Sequence, residues 1–221
     1  MKVIITGTTG MVGKGVLLEC MDDARITEIL IINRSPLNMD HPKIKEIIHS
    51  DFSDFSPLKK ELANYDGCFH CMGVSSAGMN EKKYTELTYD ISFALASVLH
   101  ELNPKMVFNY VSGIGTDSSE KGKIMWARVK GKTENMILTM GFKDGYMFRP
   151  GAILPERGIK SKTKLYNALY VLLKPFFFLM KRMKSVTTTT NMGQAMINLL
   201  FHPQANKHLE GAEINRLAGL K

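Results

Sequence analysis

The chain of 221 residues is long enough for one domain, or one domain with a small appendage, and too short for two full domains. Hydrophobic residues make up 44% of it and charged residues 23%, a balance that excludes a disordered, collagen-like or coiled-coil protein. Residues 1–150 carry 18 basic and 18 acidic side chains, whereas residues 151–221 carry 11 and 3, so the net charge of +8 lies in the last third. A solvated face is the simplest explanation, with a polyanionic substrate or a membrane surface as alternatives.

The cysteines and the first residues predict a cytoplasmic protein. Three cysteines are too few for a disulfide framework in a chain of this length. Cys68 and Cys71 form a C-x-x-C pair, but a strand points residues three apart to opposite faces, so we expect core packing and no metal site. The apolar run at the N-terminus is too short for a signal peptide and is typical of a first strand. The apolar stretch 165–180 is interrupted by Lys174-Pro175 and falls short of the roughly 20 residues of a transmembrane helix.

Short β-branched runs alternate with amphipathic segments along the chain, which indicates a parallel sheet covered by helices. Strands are predicted at Lys2–Thr6, Ile26–Ile32, Ile44–His49, Asp66–Met72, Lys105–Val111 and Tyr146–Arg149. Helices are predicted at Met11–Met21, Tyr84–Leu102, Lys123–Met140 and Asn191–Phe201. The basic segment 151–184 interrupts the alternation, and we expect it to lie outside the main sheet.

A glycine-rich loop between the first strand and the first helix predicts a dinucleotide site. Its sequence is Gly7-Thr8-Thr9-Gly10-Met11-Val12-Gly13. Glycines at these positions permit a tight turn, let a pyrophosphate approach the helix N-terminus, and let the helix pack close to the strand. The fold class is therefore α/β, a doubly wound parallel Rossmann sheet with its core over residues 1–150. Residues 151–221 form a small basic C-terminal segment that we expect to complete the fold on the substrate side.

The end of the second strand favours NADP over NAD as the cofactor. A site for NAD usually places an acidic residue about 20 residues after the glycines, where it accepts from the ribose 2′-hydroxyl. This chain has Asn33-Arg34-Ser35 at that point. The Arg34 guanidinium suits a 2′-phosphate, and Asn33 and Ser35 can donate hydrogen bonds to it. The alternative is an exposed loop arginine without a ligand.

Residues after the later strands extend the same site and carry a family resemblance. Asp51-Phe52 are expected at the adenine, and Cys71-Met72-Gly73 at the adenine ribose and the pyrophosphate. With the glycine loop, with Val111-Ser112-Gly113 and with Phe148-Arg149-Pro150-Gly151, the chain resembles the extended or atypical short-chain dehydrogenase/reductase superfamily over nearly its whole length. The likeness is greatest to small epimerase-like and Tat-interacting oxidoreductase-like members. It implies a Rossmann sheet, a nicotinamide dinucleotide and hydride transfer at a carbonyl or alcohol, and it places Arg149, Pro150 and Gly151 beside the cofactor.

The catalytic residues that the resemblance implies are only partly present. Ser112 stands where the family has the serine that orients the substrate oxygen, and Lys130 stands where it has the lysine that binds the nicotinamide ribose. Trp126 occupies the position of the acid/base tyrosine, and an indole N–H cannot exchange a proton with substrate at neutral pH. Stacking on the nicotinamide, capping of the substrate pocket and burial on a core-facing helix are the alternatives for Trp126. Strand alternation is taken to turn Tyr110 away from Ser112, which leaves Tyr84, Tyr89, Tyr166 or water to replace the missing acid.

These residues lead to two functional hypotheses. The first is an NADP(H)-dependent oxidoreductase acting on a small carbonyl or alcohol. The second is a catalytically silent NADP-bound regulator or assembly factor, in which Trp126 marks the loss of chemistry. A small-molecule substrate is expected and nucleic acid is not, because no groove-reading motif is present. The basic flanks of segment 160–184 permit peripheral membrane contact, and the oligomeric state stays open.

Overall fold

The computed structural model describes residues 1–159, 177–180 and 183–220 and is built on a parallel sheet of seven strands. These strands are β1 (Lys2–Thr6), β2 (Glu28–Asn33), β3 (Ile44–Ile48), β4 (Gly67–His70), β5 (Val107–Val111), β6 (Asp144–Arg149) and β9 (His208–Glu210). Their order in the sheet is β3-β2-β1-β4-β5-β6-β9, and every neighbouring pair is parallel. The order reverses beside β1, as in a doubly wound Rossmann sheet, which confirms the predicted fold class.

Helices cover the sheet, and most of them were predicted from the hydrophobic periodicity. They are α1 (Met11–Asp22), α2 (Glu81–Thr85), α3 (Ile91–Leu102), α4 (Met125–Thr139), α5 (Phe177–Met180), α6 (Thr189–Asn198) and α7 (Gly211–Ala218). A π-helical turn, Glu86–Asp90, joins α2 to α3, so the predicted long helix is continuous but locally widened. Such turns are frequent at functional sites.

Alternate residues of the strands feed two hydrophobic cores, one on each face of the sheet. Val3 and Ile5 of β1 are fully buried on the face that α1, α6 and α7 cover, while Ile4 between them is buried on the face that α3 and α4 cover. Because both faces are covered, the central strands are apolar at nearly every position, as the sequence of β2 shows. Burial on both sides fixes the strand register and therefore the loops at the strand ends.

The C-terminal region contains elements that the sequence did not reveal. β7 (Ala152–Leu154) and β8 (Val186–Thr188) form a separate parallel pair, and β9 joins the main sheet beside β6. Each has three residues, too few for an alternation to be recognised. The rest of the predicted membrane-contact segment 160–184, apart from residues 177–180, 183 and 184, lies outside the described residues. Among the described residues, no helix combines the length and hydropathy needed to cross a bilayer.

Candidate functional site

A cavity of about 400 Å³ opens at the carboxyl ends of β1, β2 and β4. Ten of the predicted cofactor residues line it: Gly7, Thr9, Gly10, Asn33, Arg34, Asp51, Phe52, Cys71, Met72 and Gly73. Ile32, Ser50, Ser53, Val74, Glu86, Leu87 and Ile91 complete the lining. Ligands of open α/β sheets bind outside the carboxyl ends of the strands at the point where the strand order reverses, which is where this cavity lies.

The glycine loop is shaped so that a ligand can approach its backbone. Gly7 has φ +78°, and a Cβ there would lie 2.8 Å from the carbonyl carbon and oxygen of Cys71. A Cβ on Gly13 would lie 2.3 Å from the carbonyl oxygen of Gly7, so α1 packs directly on the loop. The N-cap of α1 is Gly10, no side chain caps the helix, and its first turn holds no acidic residue. The first-turn N–H groups are therefore suited to an anion such as a pyrophosphate.

The end of β2 holds one side chain that is engaged within the fold and one that is not. Asn33 is buried; its Oδ1 accepts from Thr8 Oγ1 at 2.9 Å, and its Nδ2 donates to Glu46 Oε1 at 2.8 Å. Asn33 thus holds the loop in place instead of presenting a free amide to a phosphate. Arg34 is exposed at the cavity edge, and the described residues offer it no hydrogen bond or ion pair. Ser35 is exposed next to it but does not line the cavity.

Residues that follow β3 and β4 also line the cavity. Asp51 accepts hydrogen bonds from the Ser53 hydroxyl and backbone N–H, which lower the pKa of its carboxyl, and Phe52 is buried beside it. Cys71 and Met72 follow β4 and lie against Gly7 through their backbone. Burial raises the pKa of the Cys71 thiol to about 12, so it stays protonated at neutral pH. Burial also raises the pKa of the Cys68 thiol, so both thiols of the C-x-x-C pair are protonated.

Ser112 lies at the end of β5 with its hydroxyl engaged inside the protein. Its Oγ donates to Oε1 of Glu134 on α4, with the Phe148 carbonyl 3.1 Å away as a second acceptor. Glu134 is completely buried and is paired with the Arg149 guanidinium, whose Nε lies 3.0 Å from Oε1. Nε2 of His208 lies 3.5 Å from the other carboxylate oxygen and makes no hydrogen bond within the described residues. The serine proton is therefore directed into a buried ion pair.

Lys130 lies one turn before Glu134 on α4 and donates from Nζ to the main-chain carbonyl of Ser112. Burial lowers the pKa of Lys130 to about 8, although the nearby Glu134 carboxylate raises it. His70, at the end of β4, is buried between Thr6 and Ser92, with Nδ1 at 2.7 Å from Thr6 Oγ1 and Nε2 at 3.0 Å from Ser92 Oγ. Burial and the Lys130 charge lower the pKa of His70 to about 4, so this ring is neutral at pH 7.

Trp126 lies over the loop that follows β5. A Cβ built on Gly115 would be 3.7 Å from the far edge of the indole ring, and the side chain is half-buried. None of the described tyrosines takes over its position. Tyr84 and Tyr110 are buried, and Tyr89 stacks with the exposed Phe93 on the outer side of its helix. Tyr166 lies outside the described residues.

The expectation that Tyr110 faces away from Ser112 is wrong. Tyr110 stacks on His70 with ring centroids 5.6 Å apart and packs in the core between the sheet and α3 and α4. Ser112 contacts Glu134 of α4 on the same side. Residues two apart in a strand point to the same face, so this placement is what strand geometry requires. Burial raises the pKa of the Tyr110 hydroxyl far above its usual value, which makes it unsuited to proton exchange near neutral pH.

The turn Arg149-Pro150-Gly151 is held by contacts within the protein. The Arg149 side chain is engaged by Glu134 and by Ser118, and the Pro150 carbonyl accepts from the Ile114 N–H at 2.9 Å. Gly151 faces Ser185, whose carbonyl oxygen would be 2.6 Å from an added Cβ. These contacts set the distance between the loops after β5 and β6. The role of the turn at the cofactor stays a prediction.

Glu134, His70 and His208 were missed in the sequence. The signal for Glu134 was present, because it follows Lys130 by four residues and so shares its helix face. No comparable signal marked His70 or His208, since only the folded sheet brings His208 from β9 to Glu134.

The glycine loop, the cavity and the sheet order agree with a family model. The model of the NAD dependent epimerase/dehydratase family matches residues 3–120, which is more than half of the chain. The chain belongs to this family. Membership confirms the resemblance to the extended short-chain dehydrogenase/reductase superfamily and supports a nicotinamide dinucleotide as the cofactor.

Solved structures of this superfamily share the fold with the chain. ADP-L-glycero-D-manno-heptose-6-epimerase of Helicobacter pylori superposes with a TM-score of 0.70 at 14% identity, over 95% of this chain and 76% of the other. UDP-glucuronic acid 4-epimerase of Bacillus cereus, solved in complex with NAD, gives a TM-score of 0.69 at 13% identity, over 95% and 78% of the two chains. At these identities the likeness establishes the fold and not the substrate.

Similar chains among curated proteins contradict the predicted cytoplasmic location. Protein FMP52 of Meyerozyma guilliermondii is 26% identical over 71% of this chain and 67% of its own length. Protein FMP52 of Saccharomyces cerevisiae is 26% identical over 71% and 68%. Both are named as mitochondrial proteins, so the cytoplasmic prediction drawn from the N-terminus and the cysteines is wrong by this comparison.

Proposed function

We propose that the protein is an NADP(H)-dependent oxidoreductase acting on a small carbonyl or alcohol. The observation that carries the proposal is the cavity, whose glycine loop presents an uncapped helix N-terminus and whose edge presents Arg34, which has no partner among the described residues. When bound, the cofactor supplies or removes a hydride. The chain would hold its pyrophosphate at Gly7–Gly13, its adenine between Arg34 and Asp51, and its nicotinamide ribose near Lys130.

Arg34 supports NADP rather than NAD. Its guanidinium is exposed, has no carboxylate partner among the described residues, and is always charged near neutral pH. No acidic residue occupies the end of β2, because Asn33 stands there and is turned toward Thr8 and Glu46. A charge-assisted hydrogen bond contributes about 1.5–3 kcal/mol, which corresponds to roughly 10- to 100-fold tighter binding of the 2′-phosphorylated cofactor.

Fluorescence of Trp126, the only tryptophan, tests the cofactor assignment. Titration with NADPH and with NADH should quench its emission, and NADPH should bind at least tenfold more tightly. Arg34→Ala should weaken the binding of NADPH and leave that of NADH unchanged, so that the two affinities become similar. Lys60→Ala removes an exposed charge outside the cavity and should change neither affinity. Equal affinities in the unmodified protein would reject NADP specificity, and no binding of either would reject the cofactor site.

A specific observation favours the silent cofactor-binding protein as a second candidate. Trp126 replaces the acid/base residue, and the Ser112 hydroxyl is directed to Glu134 rather than left free for a substrate. Reduction of an aromatic aldehyde, 4-nitrobenzaldehyde, by NADPH separates the two candidates. The oxidoreductase hypothesis predicts that the unmodified protein reduces this aldehyde. If NADPH binds but turnover starts only in Trp126→Tyr, the second candidate is correct.

A further inference from the structure

We propose that Lys130 is the catalytic proton donor of this protein, taking the part that a tyrosine at position 126 would play. The inference rests on the oxidoreductase function proposed above and assigns the residue that supplies the proton. Three observations around the end of β5 support it. The Ser112 hydroxyl donates its proton within the protein, the Trp126 indole cannot exchange a proton at neutral pH, and the Lys130 ammonium lies beside Ser112.

The Ser112 hydroxyl is a poor proton source because both acceptors within its reach belong to the protein. Its hydrogen points to Glu134 or to the Phe148 carbonyl. Arg149 contacts both carboxylate oxygens of Glu134, which fixes the carboxylate as an acceptor. Ser112 Oγ keeps lone pairs that can accept a hydrogen bond, but it does not have a free proton to give.

The Lys130 ammonium lies beside Ser112 and carries protons that can be released. Nζ donates to the Ser112 carbonyl, and in the part of the chain that the structure describes no carboxylate lies within ion-pair distance of it. An ammonium has three donors, so the bond to Ser112 leaves others for a ligand. Partial burial disfavours its charged form, which brings the pKa of Lys130 to about 8, close to the value that suits a general acid at neutral pH.

Burial and the Glu134 carboxylate of α4 shift the pKa of Lys130, and further titratable or charged groups lie on the neighbouring strands. They are His70 on β4, Tyr110 on β5, Arg149 on β6 and His208 on β9. Glu134 raises the pKa of Lys130 but is itself neutralised by Arg149. His70 is neutral at pH 7 and Tyr110 stays protonated, so neither exchanges a proton with Lys130 in the neutral range.

The proton balance of a carbonyl reduction is complete with Lys130. With the reduced cofactor bound, the nicotinamide would supply the hydride for the carbonyl carbon, and Nζ of Lys130 would supply the proton for the carbonyl oxygen. One N–H bond of Lys130 breaks, one O–H bond of the product alcohol forms, and the neutral amine that remains is protonated again by water. Alcohol oxidation is the reverse, with the neutral amine as the base.

The first test measures the titration of Lys130 without turnover. Trace acetylation of the free protein by acetic anhydride at a series of pH values, followed by mass spectrometry, reports the fraction of each lysine in its reactive amine form. Lys130 should reach half of its maximal reactivity near pH 8. Lys132, exposed on the same helix above the ring of Tyr89, is the internal reference. A Lys130 that gains reactivity only together with Lys132 would overturn the proposal.

The second test uses Lys130→Arg, which keeps the positive charge and the donors but cannot release a proton near neutral pH. With NADPH and 4-nitrobenzaldehyde, kcat of the unmodified protein should fall above pH 8. In Lys130→Arg, kcat should be lower by about 100-fold, the size of general acid catalysis, without this pH dependence. The NADPH Kd, read from Trp126 quenching, should stay within about threefold. Lys132→Arg should retain the full kcat.

The outcomes separate the two proposals. Unchanged kcat and pH profile in Lys130→Arg would assign the proton to water and overturn the role of Lys130, while the oxidoreductase function stands. Tight NADPH binding without turnover in the unmodified protein would overturn the oxidoreductase function itself, and the role of Lys130 with it. A loss of kcat that is matched by an equal loss of NADPH affinity would show that Lys130 only binds the cofactor.

Discussion

Thr8 Oγ1 donates a hydrogen bond of 2.9 Å to Asn33 Oδ1, and both side chains are buried. The bond joins the glycine loop after β1 to the end of β2. Asn33 continues the connection to Glu46 on β3, which in turn accepts from the Leu37 N–H at 3.0 Å. The loop that would hold a pyrophosphate is thus positioned by side chains of β2 and β3, and its geometry depends on Asn33.

Asn33→Leu should lower the free energy of unfolding by about 1–3 kcal/mol, because it leaves the buried Thr8 hydroxyl without its acceptor. Urea denaturation followed by Trp126 fluorescence measures the loss. The double variant Thr8→Val with Asn33→Leu removes both polar partners and should recover part of this stability. A double variant that loses as much as the two single variants together would show that the bond does not couple these residues.

Gly7 and Gly78 form a matched pair for testing close approach at the loop. Both have positive φ, +78° and +75°, but an added Cβ meets the Cys71 backbone at 2.8 Å only at Gly7, while nothing lies within 4 Å at Gly78. Gly78→Ala should cost about 1–2 kcal/mol of stability through its backbone conformation alone. Gly7→Ala should cost more and should also abolish NADPH binding. Equal effects of the two substitutions would mean that β4 does not crowd the loop.

Most of the fold could be predicted from the sequence because both faces of the sheet are covered. Continuous burial produces apolar runs such as Val3–Ile5, and these mark the strands whatever the tertiary context. β7, β8 and β9 escaped because each has three residues, and their pairing depends on contacts with distant parts of the chain. Helix α7 begins directly after β9, and a capping box of Glu210 and Glu213 marks its start.

The candidate site was predictable to the extent that it lies on consecutive residues. The glycine loop and the strand ends were found because each is a short sequence with a mechanism, and the cavity unites ten of their residues. The hydrogen bonding of Ser112 could not be predicted from the sequence. Its hydroxyl donates to Glu134 on another element, and Glu134 is paired with Arg149 on a third. Sequence patterns report local periodicity and do not report which buried polar groups pair across elements.

Glu134→Ala should destabilise the protein by about 3 kcal/mol or more, because it leaves the Arg149 guanidinium, 14% exposed, without its completely buried partner. Glu134→Gln keeps the shape of the side chain and one acceptor for Ser112, so its free energy of unfolding should fall less than that of Glu134→Ala. Glu101→Ala breaks an exposed pair with Lys59 and should change the free energy of unfolding by less than about 1 kcal/mol. Urea denaturation at neutral pH measures all three. A loss for Glu134→Ala as small as that for Glu101→Ala would contradict a structural role for the buried pair.

His70 should make the protein less stable at acid pH. Burial lowers the pKa of its ring from 6.5 to about 4 in the folded chain, so the unfolded chain binds a proton first as the pH falls. The contribution of His70 is fully present above pH 6.5 and decreases as the pH falls toward 4, by about 3 kcal/mol in total at 1.36 kcal/mol per unit.

The comparison of His70→Gln with the unmodified protein isolates this contribution from the carboxylates that titrate in the same range. The amide can still bond to Thr6 and Ser92 but does not titrate, so the difference in unfolding free energy between the two proteins should shift by about 3 kcal/mol in favour of the variant between pH 7 and pH 4. His202→Gln, which changes a half-buried histidine outside this cluster, is measured as the matched control. A difference that does not depend on pH would mean that the His70 ring has the same pKa in the folded and the unfolded chain, so that its burial does not shift its titration.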